Sequence, residues 1–189
     1  MKQVTASILW RRLDMEGHDA CLLSQIDGGY SLAGRAIFIQ DGKPCCLAYE
    51  VDCDAGWRTC SAQVDGFLGL RELHYAIERS SDGQWMLNGE LQHGVAGLVD
   101  VDLGFTPASN LLAIRRFDLG IGEATSAPAA YLTFPELRLV RLDQTYRRLE
   151  TVRYAYAAPM FGYDEILDVS PRGFVVDYPG LWRSVAASG

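Results

Sequence analysis

Apolar and polar residues alternate with a period of two through most of this 189-residue chain, and that pattern leaves few folds open. In "LRELHYAIER", Leu73, Tyr75 and Ile77 fall on one side while Glu72, His74 and Glu78 fall on the other, as in a strand buried on one face. The same reading predicts strands in "TASILWRRL", "YSLAGRAIFIQ", "CCLAYEVDC", "WRTCSAQV", "GLVDVDL", "AAYLTFP", "LRLVRL", "TVRYAYA" and "GFVVDYP". Between them stand Asp27-Gly28-Gly29, Asp41-Gly42, Asp65-Gly66, Asp82-Gly83 and Asn88-Gly89, residues that supply the positive φ angles of hairpin turns. Turns this short leave no room for crossover helices, so an all-β, antiparallel fold is expected and a parallel α/β sheet is excluded. Helical turns are expected at most within "LDQTYRRLET" or "YDEIL", since no longer segment keeps a 3.6-residue period with caps.

So many short strands cannot lie flat, because twist accumulates across a sheet. The expected body is a single all-β domain spanning residues 1–189. Its sheet should be long and strongly curled, a β-roll or incomplete barrel, with a pocket between the curled faces. A chain of this length buries about 70% of its unfolded surface, so no disulfide or metal staple is required. Five cysteines, Cys21, Cys45, Cys46, Cys53 and Cys60, lack framework spacing and read as reduced thiols; Cys46-x6-Cys53-x6-Cys60 also lacks the close pairing that zinc needs.

A formal net charge of −7 repels phosphate backbones, and nucleic acid is not an expected partner. No apolar run approaches the ~20 residues of a transmembrane segment. "MKQVTASILWRRLDMEGHD" lacks the apolar core and cleavage site of a signal peptide, which predicts a cytoplasmic location.

Chemistry concentrates in "VDVDLGFTPASNLLAIRR", from Val99 to Arg116. Strand alternation puts Asp100 and Asp102 on one face, roughly 6.5–7 Å apart. A divalent metal held with Asn110 would need a third acidic ligand, which the segment does not supply. A glycosidase pair would need one raised pKa, whereas a nearby arginine lowers it. The favoured reading is a structural charge cluster, with Arg115 and Arg116 on opposite faces of a strand and one of them meeting the aspartates across a hairpin.

His18, His74 and His93 form no triad pattern, and no nucleophile elbow, phosphate loop or dinucleotide fingerprint occurs, so no cofactor is expected. Trp57, Trp85, Tyr154, Tyr156, Phe161, Tyr163, Phe174, Tyr178 and Trp182 are spread through strands and turns, and "VRYAYA" puts Tyr154 and Tyr156 on one face. Such a stripe either packs the core or borders a half-wet pocket, because a buried tyrosine hydroxyl needs a partner.

"DVDLGFTPASNLLAIRRFDL", "YLTFPELRLVRLDQTY", "YAY" and "GFVVDYPGLW", with a weaker match at "YEVDCDAGW", resemble the successive signature segments of a bacterial glycolipid-binding family. The likeness runs from Trp10 to Trp182. It departs at Ala113, where the family favours proline, and at Gly17-His18-Asp19, where it favours Gly-x-Glu. The resemblance implies a long curled antiparallel sheet similar to envelope lipoprotein carriers, with a groove for an acyl chain. It points to a non-enzymatic binding protein for a glycolipid or other amphipathic lipid, with the tail on aromatic and aliphatic side chains. Candidate ligand contacts are Trp57, Trp85, Arg115, Arg116, Tyr154, Tyr156 and Tyr178. Two alternatives stay open: an enzyme acting on a sugar or lipid through Asp100 and Asp102, and a module that forms a homodimer through its sheet edges.

Overall fold

The computed structural model describes residues 1–189. Eight strands come first: β1 (Gln3–Arg12), β2 (Gly17–Ile26), β3 (Gly29–Gln40), β4 (Lys43–Asp54), β5 (Thr59–Leu68), β6 (Arg71–Arg79), β7 (Trp85–Leu87) and β8 (Glu90–Leu91). A central segment carries β9 (Asp100–Leu103), the helix α1 (Asn110–Phe117), β10 (Ala124–Ser126), β11 (Ala129–Leu132) and β12 (Leu139–Leu142). The chain ends with β13 (Thr145–Glu150), β14 (Arg153–Ala158), β15 (Tyr163–Val169), β16 (Val175–Tyr178) and β17 (Trp182–Ser188).

Fourteen strands form one antiparallel sheet in the order β10-β13-β14-β15-β16-β17-β1-β2-β3-β4-β5-β6-β7-β8. The sheet is open, with the short strands β10 and β8 at its edges, and β1 pairs with β17 in its middle. A second sheet, β12-β11-β9, pairs β11 with β12 antiparallel and with β9 parallel.

The all-β reading holds, and the hairpin signals act largely as expected. Asp41 and Gly42 take φ of 50° and 72°, and Asn88 and Gly89 take 51° and 79°, the twin positive values of a tight hairpin. Asp65-Gly66 does not turn the chain. It lies inside β5, where a Cβ on Gly66 would stand 1.9 Å from the Cys46 carbonyl oxygen, so the glycine permits close strand approach. Neither "LDQTYRRLET" nor "YDEIL" is helical; they lie in β12 to β13 and in β15.

The helix is instead "NLLAIRRF", and it carries the chain from β9 to its parallel partner β11. Parallel pairing, excluded by the turn lengths, is thus present at one place. Two features hid the helix. It has only eight residues, and Asn110 through Ile114 are all buried, so no polar stripe marks a period.

One face of the long sheet is apolar, and the central segment covers it. Inward side chains such as Trp10, Leu32, Leu47 and Val64 share a cluster of 33 buried residues with Val101, Leu103, Leu112 and Leu132 of the segment. A second cluster of 12 joins Ala113 and Ile114 of α1 to Tyr146, Tyr154, Tyr156 and Leu167. Burial of this kind contributes about 25 cal/mol per Å² of apolar surface removed from water, which is why the insert is held against the sheet.

Two buried polar clusters fix the insert. Arg116 Nε donates to Asp100 Oδ1 at 2.9 Å and Nη2 to Oδ2 at 2.7 Å, tying the last turn of α1 to β9. The expected aspartate–arginine contact therefore forms, but from a helix rather than across a hairpin. At the other end of the loop, Thr106 Oγ1 and the Tyr49 hydroxyl both donate to Asp19 of β2, the latter at 2.9 Å. Gly34 makes this possible, because a Cβ there would lie 2.3 Å from the Tyr49 ring.

Burial pushes the Asp19 carboxyl up to about 6, against the lowering effect of the Thr106 and Tyr49 hydrogen bonds. A carboxyl raised on folding takes up a proton in that window. Its contribution to stability therefore falls as pH rises from about 4 to about 6. Tyr49→Phe should cost about 1–3 kcal/mol, and more at pH 8 than at pH 5, because the ionised carboxylate loses more with that donor. Urea unfolding at the two pH values measures the difference. Arg116→Ala should cost about 3 kcal/mol by leaving Asp100 buried without its partner, whereas the double change Arg116→Met with Asp100→Leu should cost less.

Candidate functional site

The seam between the two hydrophobic clusters does not close. It leaves a cavity of about 290 Å³ whose wall includes Leu103 and Trp182 from one cluster and Leu142 and Tyr156 from the other. Asp102, Thr106 and Asn110 come from the insert, and Tyr156, Tyr163 and Tyr178 from β14 to β16. Arg12, at the end of β1, lines it as well, and Tyr131 and Phe161 stand together with ring centroids 5.5 Å apart.

Local rules place these groups. Alternation along β14 turns Tyr154 and Tyr156 inward, and β15 and β16 bring Tyr163 and Tyr178 beside Tyr156. The Tyr156 and Tyr178 rings meet edge to face at 5.8 Å, and Tyr163 and Tyr178 at 5.1 Å. Gly104 lets Tyr131 fold over the loop, since a Cβ there would stand 2.3 Å from the phenol oxygen. Asn110, in the first turn of α1, donates from Nδ2 to the Tyr146 hydroxyl at 2.7 Å.

The phenols are neutral donors at physiological pH. Burial raises Tyr156, Tyr163 and Tyr178 above the usual tyrosine range and pushes Tyr131 up to about 12. Tyr156 donates to Gln144 Oε1 at 2.8 Å and Tyr163 to the Pro179 carbonyl at 2.8 Å. Burial pushes the Asp102 carboxyl up to about 6, a hydrogen bond from Ser109 Oγ lowers it, and the charge of Asp100 raises it. That Ser109 bond, 3.2 Å long, goes to Oδ1.

Arg12 donates from Nε and Nη2 to Asp14 at 2.8 and 3.2 Å. Its Cζ lies 4.8 Å from the Phe38 ring centroid and 5.1 Å from that of Trp182. Nη1 is buried and has no hydrogen-bond partner.

The seven residues singled out in the sequence separate in space. Tyr156 and Tyr178 line the cavity together. Tyr154 and Arg115 border a smaller hollow beside Arg148 and Ser170. Arg116 is committed to Asp100. Trp57 stacks on Tyr30 at 3.8 Å with the Arg115 guanidinium 5.2 Å from its ring, and Trp85 is wholly buried, donating from Nε1 to the Leu98 carbonyl at 3.0 Å. Asp100 is not part of the cavity wall, so a two-carboxylate acid–base arrangement is not assembled there.

Arg12, Asn110, Tyr131 and Tyr163 were not singled out as contacts from the sequence. Of these, Tyr163 carried a signal as part of the aromatic series, and Asn110 carried one as the residue weighed with Asp100 and Asp102 for a metal.

A wider depression of about 680 Å³ lies on the opposite face of the sheet, over Ala20, Ala33 and Ala48. Small side chains hollow it out, and it is an open trough rather than an enclosure. The seam cavity, with its convergent buried polar groups, is the better candidate site.

No helix is long and apolar enough to cross a membrane. A search among curated proteins gives no match. Among solved structures, the chain is similar to a DUF1089 family protein from Pseudomonas aeruginosa, at 25% identity and a TM-score of 0.77, covering 87% of this chain and 90% of that one. It also shares its fold with a β-barrel-like protein of a domain of unknown function, DUF1849, from Brucella abortus, at 12% identity and a TM-score of 0.57, covering 98% of each chain. The sequence pattern of the family described as "Putative glycolipid-binding" matches residues 7–184, and the chain belongs to that family.

Proposed function

We propose that this protein binds an amphipathic lipid of the glycolipid class in the seam cavity, without transforming it. The observation that carries the reading is the cavity itself, in a chain of this family: about 290 Å³ bounded by tyrosines, Trp182 and Asp102. Aromatic faces suit a ligand with both apolar and hydroxylated parts, and neutral phenols suit its polar atoms.

The rolled form of the sheet belongs to the same proposal. Inner-face residues from β1 to β6 share one cluster with the insert, as expected of a sheet that wraps its own central segment. A rigid wrapped wall would keep the cavity open for exchange of ligand.

Native mass spectrometry of protein purified without detergent, followed by lipid extraction, tests the reading. The expected result is a co-purifying amphiphile that is lost in Leu181→Trp, whose larger side chain fills the cavity edge, with far-UV circular dichroism unchanged. A protein that is empty and shows no thermal shift with any added alkyl glycoside would remove the proposal.

A further inference from the structure

We infer that the ligand enters this cavity head first: an uncharged sugar ring occupies the interior, and the apolar tail stays outside, across Phe161 and Met160. The inference rests on the binding role proposed above and reverses the tail-in arrangement of a simple acyl groove.

Size is the first argument. Pockets that enclose a drug-sized ligand span about 300–1,000 Å³. At about 290 Å³ the seam holds one ring and has no room for a ring together with a long acyl chain. Polarity is the second. Asp102, Asn110 and Arg12 all line this space, whereas an acyl chain offers no acceptor or donor to any of them.

The Arg12 side chain is only 12% exposed, and its Nη1 is buried without a partner. Such a donor calls for an acceptor; the Arg12 side chain lines the cavity, and a small turn of its guanidinium would present that atom to a ring hydroxyl. Asp102 receives a single side-chain hydrogen bond, from Ser109, and can accept further ones from hydroxyl donors. Tyr156, Tyr163 and Tyr178 give the apolar C–H face of a ring aromatic surfaces to rest on.

Charge decides what kind of head fits. The Arg12 guanidinium is already neutralised by Asp14, and Asp102 adds negative charge at the cavity wall. A phosphate, sulfate or carboxylate head would meet the Asp102 carboxylate and a cation already paired with Asp14. A neutral polyol meets hydrogen-bonding groups only.

The tail then has a place at the mouth. Phe161 and Met160 belong to the turn Pro159–Phe161, and each is 55% exposed, although Phe161 also lines the cavity. An alkyl chain leaving the ring would cover both.

The test is an NMR titration of the full labelled chain with methyl β-glucoside, octyl β-glucoside, octanoate and octyl phosphate, each below its micelle concentration. Octyl glucoside should bind about tenfold or more tighter than octanoate or octyl phosphate. Both glucosides should shift the Asn110 side-chain amide and the Tyr156 and Tyr178 rings, and only the octyl compound should also shift Phe161 and Met160. Asp102→Asn should abolish the preference for sugar. Phe161→Ala, an exposed change that leaves the fold intact, should abolish the gain from the octyl chain.

Octanoate binding as tightly, with the same interior shifts, would overturn the head-first orientation while leaving the cavity as the binding site. Octyl phosphate binding tightest would overturn the uncharged head. Shifts confined to the Ala20, Ala33 and Ala48 trough, or none with any probe, would overturn both this inference and the proposed function.

Discussion

A sheet of fourteen strands with one apolar face is unstable until something covers that face, and here the chain supplies its own cover. After β8 the chain leaves the sheet and lays β9, α1, β11 and β12 against its apolar face; within this stretch only β10 returns to the sheet, as its edge strand beside β13. Everything else follows from how well that cover fits. Where it packs closely, beneath β1 to β6, the interior is filled by Trp10, Leu47 and Phe105. Where it passes from one hydrophobic cluster to the other the fit is incomplete, and the cavity is the remainder.

Two aspartates on one strand face show how finely position divides roles. Asp100 and Asp102 are two residues apart on β9 and both nearly buried. Asp100 is held by two hydrogen bonds from Arg116 and serves as an anchor for α1. Asp102 lies toward the cavity, with Ser109 as its partner, and keeps acceptor capacity for a ligand. An anchor and a contact therefore arise from the same dipeptide repeat, because the helix delivers its guanidinium to only one of them.

Strands whose inward positions are apolar along most of their length were legible in the sequence, β1, β3, β4 and β6 among them. Strand β2 was not, since its inward series begins with Asp19, a charge that makes sense only once Tyr49 and Thr106 surround it. Likewise α1 has no polar stripe, because the insert is packed on several sides. The turn rule failed at Asp65-Gly66 because glycine there answers a close approach between strands instead of a reversal. Tyr156 and Tyr178 were legible as cavity candidates from strand alternation and aromatic content. Arg12 was not: its position beside Asp102 and Tyr178 is created by pairings between segments distant in sequence, β1 with β17 across nearly the whole chain and β9 with β11 across α1, which no local pattern records.

The order of strands has a consequence for assembly of the fold. From β1 to β8, and again from β13 to β17, each strand pairs with its neighbour in sequence, so both halves consist of local hairpins. The strands of the two halves pair with each other only where Ser7 to Arg12 meets Trp182 to Ser188, across nearly the whole chain. Hairpins close quickly, whereas a contact this distant carries the full loop-closure entropy. The β1–β17 seam is thus the slow, late zipper of the molecule, and the two meanders can gain structure before the wall that borders the cavity is complete.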